Sequence, residues 1–173
     1  MSKYYLAKLI EMAGTMKTRK RVQKVVYLLQ VAGLDLGLNF RLHNFGPYSA
    51  EVASLLDDMS SEGILLENRH VNMAGWQSEY GLSDQAKQTL REFDQTARGQ
   101  ELAGELARFE PQIRRLLAVG ELWELELGAT IAYVYEKEGS WDKAVEAACK
   151  FKSVPTDVPK TLQALALAKE LAA

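Results

Sequence analysis

The sequence predicts a mainly α-helical protein: a winged-helix-like N-terminal half with one β-hairpin, followed by a C-terminal helical bundle. Three observations predict it. Apolar residues recur at i, i+3, i+4 and i+7 over most of the 173 residues. One stretch alone, Ile64 to Leu82, reads as two strands around a turn. The order of the segments (helices, a hairpin, then another helix) is that of a winged-helix module, and from Gln100 onward every pattern is helical. Residues 1–98 are therefore expected to form the winged-helix-like unit, with 99–173 a helical region packed on it. Whether the two make one continuous domain stays open.

Tyr4, Tyr5, Leu6, Leu9, Ile10 and Ala13 predict a helix over 3–13, with Gly14 as its C-terminal cap. The stripe Val22, Val25, Val26, Leu29 predicts a second helix over 18–32, stopped at Gly33. From Leu34 the helical period is lost, and a loop leads to a short extended segment around Phe40 to Phe45. Gly46-Pro47 then opens a third helix over 48–61, with Ser49 at its cap or Pro47 in its first turn. Its stripe is Val52, Leu55, Leu56 and Met59, and Gly63 ends it. Ile64 to Val71 and Gln77 to Leu82 form the hairpin, with the turn at Asn72 to Gly75. Ser83 caps a helix over 84–97. Further helices follow over 100–119, broken at Pro111, then 121–137, 140–152 behind Ser140, and 160–171 after Pro159.

Hydrophobic residues make up 47% and charged residues 25% of the chain, which is globular composition. No apolar run approaches the roughly 18 to 20 residues that cross a bilayer, so no membrane partner is expected. The first residues alternate apolar and polar positions and lack the continuous apolar core of a signal peptide. The single cysteine, Cys149, cannot form an internal disulfide and reads as a small core residue. These features point to the cytoplasm. The net charge of −2 divides unevenly. Residues 1–50 hold eight Lys or Arg against Glu11 and Asp35, a net of +6, which leaves −8 for the rest. A basic end suits an anionic partner or an acidic surface.

No catalytic constellation is found, and no cofactor or metal is expected. His43 and His70 are the only histidines, and neither has a metal-ligand spacing. His43 reads as a buried, hydrogen-bonded residue. No phosphate-cradling loop is present. Asp57-Asp58 and Glu124/Glu126 read as solvated helix faces. The densest feature is the run from Lys17 to Lys24. On a helical wheel, Lys17, Lys20, Lys24 and Tyr27 fall within about 80° of one another, opposite the Val/Leu stripe. A basic ridge with one aromatic suits phosphate or an acidic protein surface. The third helix points Glu51, Ser54, Asp57, Asp58 and Ser61 outward, with Glu62 at its end. That acidic face repels a phosphate backbone. Only its N-terminal end, near Arg41, His43, Asn44 and Tyr48, has suitable donors. Phe45-Gly46-Pro47-Tyr48 reads as a structural corner with Phe45 buried, so that Phe45→Ala should cost about 3 to 5 kcal/mol.

The segments Arg21-Val-Gln-Lys-Val-Val-Tyr-Leu-Leu-Gln30 and Phe40-Arg-Leu-His-Asn-Phe-Gly-Pro-Tyr-Ser49 resemble the YwgA-like family of prokaryotic proteins. More distantly they resemble the Panacea antitoxin domain. Both families pair an R/K-x-Q-K-hydrophobic-Y segment with an aromatic-Gly-Pro segment. The matching positions are Gln23, Lys24, Tyr27, His43, Gly46, Pro47 and Tyr48, with weaker likeness at Tyr80 to Ser83 and Ala129 to Ile131. The Trp that usually precedes the Panacea aromatic-Gly-Pro segment is absent here. The resemblance implies a small helical regulator and, for Panacea-type proteins, neutralisation of a partner toxin; it supplies no reaction.

The resulting expectation is a non-enzymatic regulatory binding module that recognises a protein partner. Its contacts would be Lys17, Lys20, Gln23, Lys24, Tyr27, Arg41, His43 and Tyr48, around a corner of Phe45, Gly46 and Pro47. The alternative is a winged-helix DNA-binding transcriptional regulator. Nucleic acid and a homodimer stay open as partners.

Overall fold

The computed structural model describes residues 2–72 and 75–172. In chain order the elements are α1 (Lys3–Ala13), β1 (Thr15–Lys17), α2 (Arg19–Val31), β2 (Arg41–His43), β3 (Gly46–Tyr48) and α3 (Ala50–Ser61). There follow β4 (Leu65–Asn72), β5 (Gly75–Leu82), α4 (Asp84–Asp94), α5 (Ala97–Ala107) and α6 (Glu110–Leu117). The chain continues with α7 (Leu122–Glu138), α8 (Trp141–Lys152) and α9 (Pro159–Leu171). The protein is thus mainly helical with a small antiparallel sheet. No helix among the described residues is long and apolar enough to cross a membrane.

Helix periodicity located most of these elements, and local chemistry moved several boundaries. The hairpin pairs from Leu65 with Leu82 to Asn72 with Gly75; Met73 and Ala74 of its expected turn lie outside the described residues. The helix expected over 84–97 stops at Asp94, because Thr96 caps a new helix by accepting from the Gly99 N–H at 3.0 Å. The third helix begins at Ala50, not 48. Pro47 belongs to no helix: it pairs with Leu42 across a two-stranded hairpin of β2 and β3. Proline is tolerated there because an edge strand needs no donor on its open side.

Strand β1 was not expected. It pairs antiparallel with β5, Thr15 with Gly81 and Lys17 with Glu79, giving a three-stranded sheet of order β1-β5-β4. The sheet turns Met16, Tyr80, Leu65 and Leu82 into the core. Thr18, at a φ of +67°, turns the chain from β1 into α2, and its hydroxyl accepts from the Arg21 N–H.

The centre of the molecule is α2. Its residues from Val22 to Leu29 are all buried. It packs on β1, α3 and the β3 corner from its own half, and on α6, α7 and α9 from the other. Helix α7, apolar around most of its circumference, packs in turn on α8 and α9. Gly128 lets α9 close in, since a Cβ there would lie 3.2 Å from the Ala164 carbonyl oxygen. One continuous cluster of buried side chains runs from Tyr4 to Leu171.

Candidate binding surface

The polar arc of α2 turns into the molecule and holds the neighbouring loop by its backbone. The Gln23 amide donates to the Ser49 carbonyl at 2.8 Å and accepts from the Ser49 N–H at 2.9 Å. Gln30, two turns on along the same face, does the same with Leu38, at 3.0 and 3.1 Å. Between them Lys24 donates to the Pro47 carbonyl at 2.5 Å. The Tyr27 hydroxyl donates to Glu136 at 3.1 Å, and its ring meets Phe40 and Tyr133 edge-on or tilted. Burial pushes both the Tyr27 hydroxyl and the Glu136 carboxyl upward.

The expected basic ridge is therefore not a surface feature. Lys24 is 1% exposed, and Gln23 and Tyr27 are buried with it. Lys17 is exposed but lies in β1, off the helix. Only Lys20 of the four remains on the helix and partly open to solvent. The arc therefore holds only for Lys20, Lys24 and Tyr27, and α7 and the β3 corner cover the side opposite the Val/Leu stripe. Buried polar groups must be paired, and here backbone carbonyls and N–H groups supply the pairing.

The corner is built in reverse of the expectation. Gly46 and Pro47 are buried, while Phe45 is 50% exposed. The β2–β3 turn swings Phe45 outward, because Gly46, at a φ of +93°, is pressed against α7 and leaves no room inward. The Lys20 ammonium lies 3.3 Å from the Phe45 ring centroid, and that of Lys152 lies 5.9 Å away. His43 is likewise exposed rather than buried, with its ring stacked on Tyr48 at 4.8 Å. Arg41 is exposed and Tyr48 half-buried.

Behind Phe45 a carboxylate gathers the lysines. Glu126 of α7 stands 3.9 Å from Lys20 and 3.7 Å from Lys152, with its side chain only 15% exposed. It is not the solvated helix residue that its sequence context suggested. Lys152 also donates to the Asn44 carbonyl at 3.0 Å, tying α8 to the corner. Beside this cluster a pocket of about 380 Å³ opens between α7 and the α8–α9 connection, lined by Trp123, Leu127, Val154, Pro155, Val158 and Lys160 among others. Sequence reasoning missed Glu126, Lys152, Trp123 and Lys160. One signal pointed there: the small residues Gly128, Ala129 and Thr130 in an apolar helix mark a backbone approached closely by others.

Burial lowers the Lys24 amine to about 8, against the upward pull of Glu126 and with smaller repulsions from Lys152 and Lys20. Below pH 8 folded and unfolded chains both carry the proton, and the folded chain bears the cost of a buried ammonium. Between about 8 and the ordinary 10.5 the folded chain releases the proton first, so stability rises with pH across that window. The full gap corresponds to about 3 kcal/mol. Urea denaturation should show part of this rise between about pH 8 and 9.5, before the tyrosines begin to titrate. The rise should shrink in Lys24→Met, leaving the share of Lys152, whose amine burial also lowers. A flat wild-type profile would contradict the burial of the ammonium.

Several exposed positions of α3 are acidic, Glu51, Asp57, Asp58 and Glu62 being open to solvent at or just past it. Glu51 accepts from the Asn39 N–H, and Asp57 pairs with Arg19. Among the described residues no group of three His, Cys, Asp or Glu side chains could hold a metal ion. Cys149 is buried and its thiol is pushed up by burial, which makes it a poor nucleophile. What the surface offers is a half-exposed aromatic ring flanked by two ammonium groups, with a shielded carboxylate between them. The chain matches no protein-family model and no curated protein.

Proposed function

We propose that this chain is a non-enzymatic regulatory binding module of the cytoplasm that recognises an acidic segment of a protein partner. The working surface is Phe45 with Lys20 and Lys152, in place of a ridge along α2. One observation carries the reading: a half-exposed phenylalanine held out on a turn that is locked from below, with an ammonium seated on its face. An aromatic residue on a rigid base loses little entropy on binding, and flanking cations steer an acidic partner. The resemblance to YwgA-like and Panacea proteins supports a regulatory, antitoxin-like role. The sheet order β1-β5-β4 supports a winged-helix layout for residues 1–98. The acidic outer face of α3 argues against use of that layout on DNA.

The test is capture from native lysate by immobilised protein, with and without nuclease, using wild type, Phe45→Ala and Lys20→Glu. Phe45→Ala should cost about 1 kcal/mol or less in stability, since the ring is half in water. Both variants should nonetheless lose a nuclease-resistant partner whose cross-links map to an Asp/Glu-rich segment. Nuclease-sensitive capture, or submicromolar binding of duplex DNA at physiological salt, would overturn the proposal in favour of a DNA-binding regulator.

A further inference from the structure

We infer that the pocket between α7 and the α8–α9 connection is a second site, for a small organic anion with a flat apolar body such as an aromatic carboxylate or sulfonate. Its volume of about 380 Å³ lies within the roughly 300 to 1,000 Å³ of small-molecule sites. The walls are apolar: Trp123, Leu127, Val154, Pro155 and Val158. Two lysines, Lys152 and Lys160, line it at opposite ends of the connection, the Lys152 ammonium shared with Glu126 and the Asn44 carbonyl. The one acid in the lining, Glu126, is held by Lys20 and Lys152, so the pocket keeps a net positive charge.

The polar groups also fix the class of ligand. The Lys160 ammonium lies 5.5 Å from the Trp123 ring centroid. An anionic head can pair with Lys160 while an attached ring lies along Trp123. Thr161 has no hydroxyl to give, because its O–H already donates to the Pro155 carbonyl at 2.7 Å and pins the wall in place. A neutral ligand would take water from the exposed Lys160 ammonium and return nothing. A cation would meet like charge. An apolar groove among Tyr4, Ala7, Met59, Ile64, Leu90 and Phe93, about 330 Å³, serves as the contrast. Its rim charges, Lys3 and Glu62, already pair with each other, and nothing there selects an anion. The inference shares Lys152 with the protein-partner reading, but Lys160 and Val158 lie outside the Phe45 surface and let the two be tested apart.

The test uses the full chain and two fluorescent probes: anilinonaphthalene sulfonate, an aromatic anion, and phenylnaphthylamine, its neutral relative. The sulfonate should bind saturably at one site. The double variant Lys152→Gln/Lys160→Gln should weaken it about tenfold or more, as expected for lost charge-assisted contacts. Val158→Trp, which fills the pocket, should abolish binding, and Trp123→Phe should reduce energy transfer to the probe, leaving only the share from the other two tryptophans. The neutral probe should bind more weakly and ignore the double variant. Lys160→Gln alone changes an exposed side chain and keeps the test independent of folding. Sulfonate affinity unaltered by both Lys160→Gln and Val158→Trp, equal affinity for the neutral probe, or no sulfonate binding would each overturn the site. Lysate capture that survives Val158→Trp while sulfonate binding is lost would leave both readings standing as separate surfaces.

Discussion

Gly46→Ala should lower the unfolding free energy by about 2 to 5 kcal/mol, from a strained backbone and an overfilled contact together. At a φ of +93° an L side chain is strained whatever space surrounds it. Here there is no space. A Cβ would lie 2.7 Å from Thr130 Oγ1, 3.2 Å from the Glu126 carbonyl oxygen and 3.4 Å from Lys24 Cε. The hydroxyl cannot swing away freely, because it donates to that same Glu126 carbonyl at 2.6 Å. Adding Thr130→Ala should remove the closest contact and recover the larger part of the steric share, leaving the backbone share and the milder contact with the Glu126 carbonyl. Gly104→Ala in α5 is the control: nothing lies within 4 Å, and helix propensity favours alanine by up to about 1 kcal/mol. A loss below about 1 kcal/mol in Gly46→Ala would show that the corner is looser than drawn.

Gln23→Leu is the second large effect, about 1 to 3 kcal/mol, because it leaves the buried Ser49 N–H without a partner and takes one of two from the Ser49 carbonyl, which keeps the Ala53 N–H at 3.3 Å. Ser49 is buried, and its N–H and carbonyl both pair with the Gln23 amide. Leucine fills the volume and answers neither. Gln23→Glu adds a sharper test. The ionised carboxylate accepts from the Ser49 N–H but confronts the Ser49 carbonyl, so its folded-state pKa should rise above the ordinary value near 4.3. Stability should then fall as pH climbs from about 4.3 to that raised value and level off above it, and be recovered over the same window as pH falls, where a protonated carboxyl can donate. A Gln23→Glu variant as stable as wild type at pH 7 would contradict the paired geometry.

The helices were legible because their apolar period is a local property: α1 appears at the bounds its spacing gives, and α9 begins one residue early. β1 was not legible. Three residues are too few to show a period, and Thr15 to Lys17 is a strand only because β5 arrives more than sixty positions later. The candidate site failed for a related reason. A lysine on the polar arc of an amphipathic helix looks the same in sequence whether water or a proline carbonyl receives its proton. For Lys24 the receiver is Pro47, and nothing within α2 announces it. Phe45 misled in the other direction. An aromatic beside Gly-Pro reads as core, yet Lys20 and Lys152 cover part of its ring and let it stay outside. Cys149 was readable because an unpaired cysteine in a helix with an apolar stripe has few other places to go.

The hydrogen bonds that fasten α2 and its corner have a bearing on synthesis. Arg21 donates to the carbonyls of Val119 and Gly120, Tyr27 to Glu136, and Lys152 to the carbonyl of Asn44. Each joins residues about a hundred positions apart in the chain. As the polypeptide leaves the ribosome, α2 emerges early with nothing to lay over its second face. It must wait with Lys24 hydrated and the Phe45 turn unformed until α7 and then α8 follow. Contacts of such span are slow to close. The central helix thus stays uncovered while the residues from α3 to α7 are made, an interval in which its polar face is open to a chaperone.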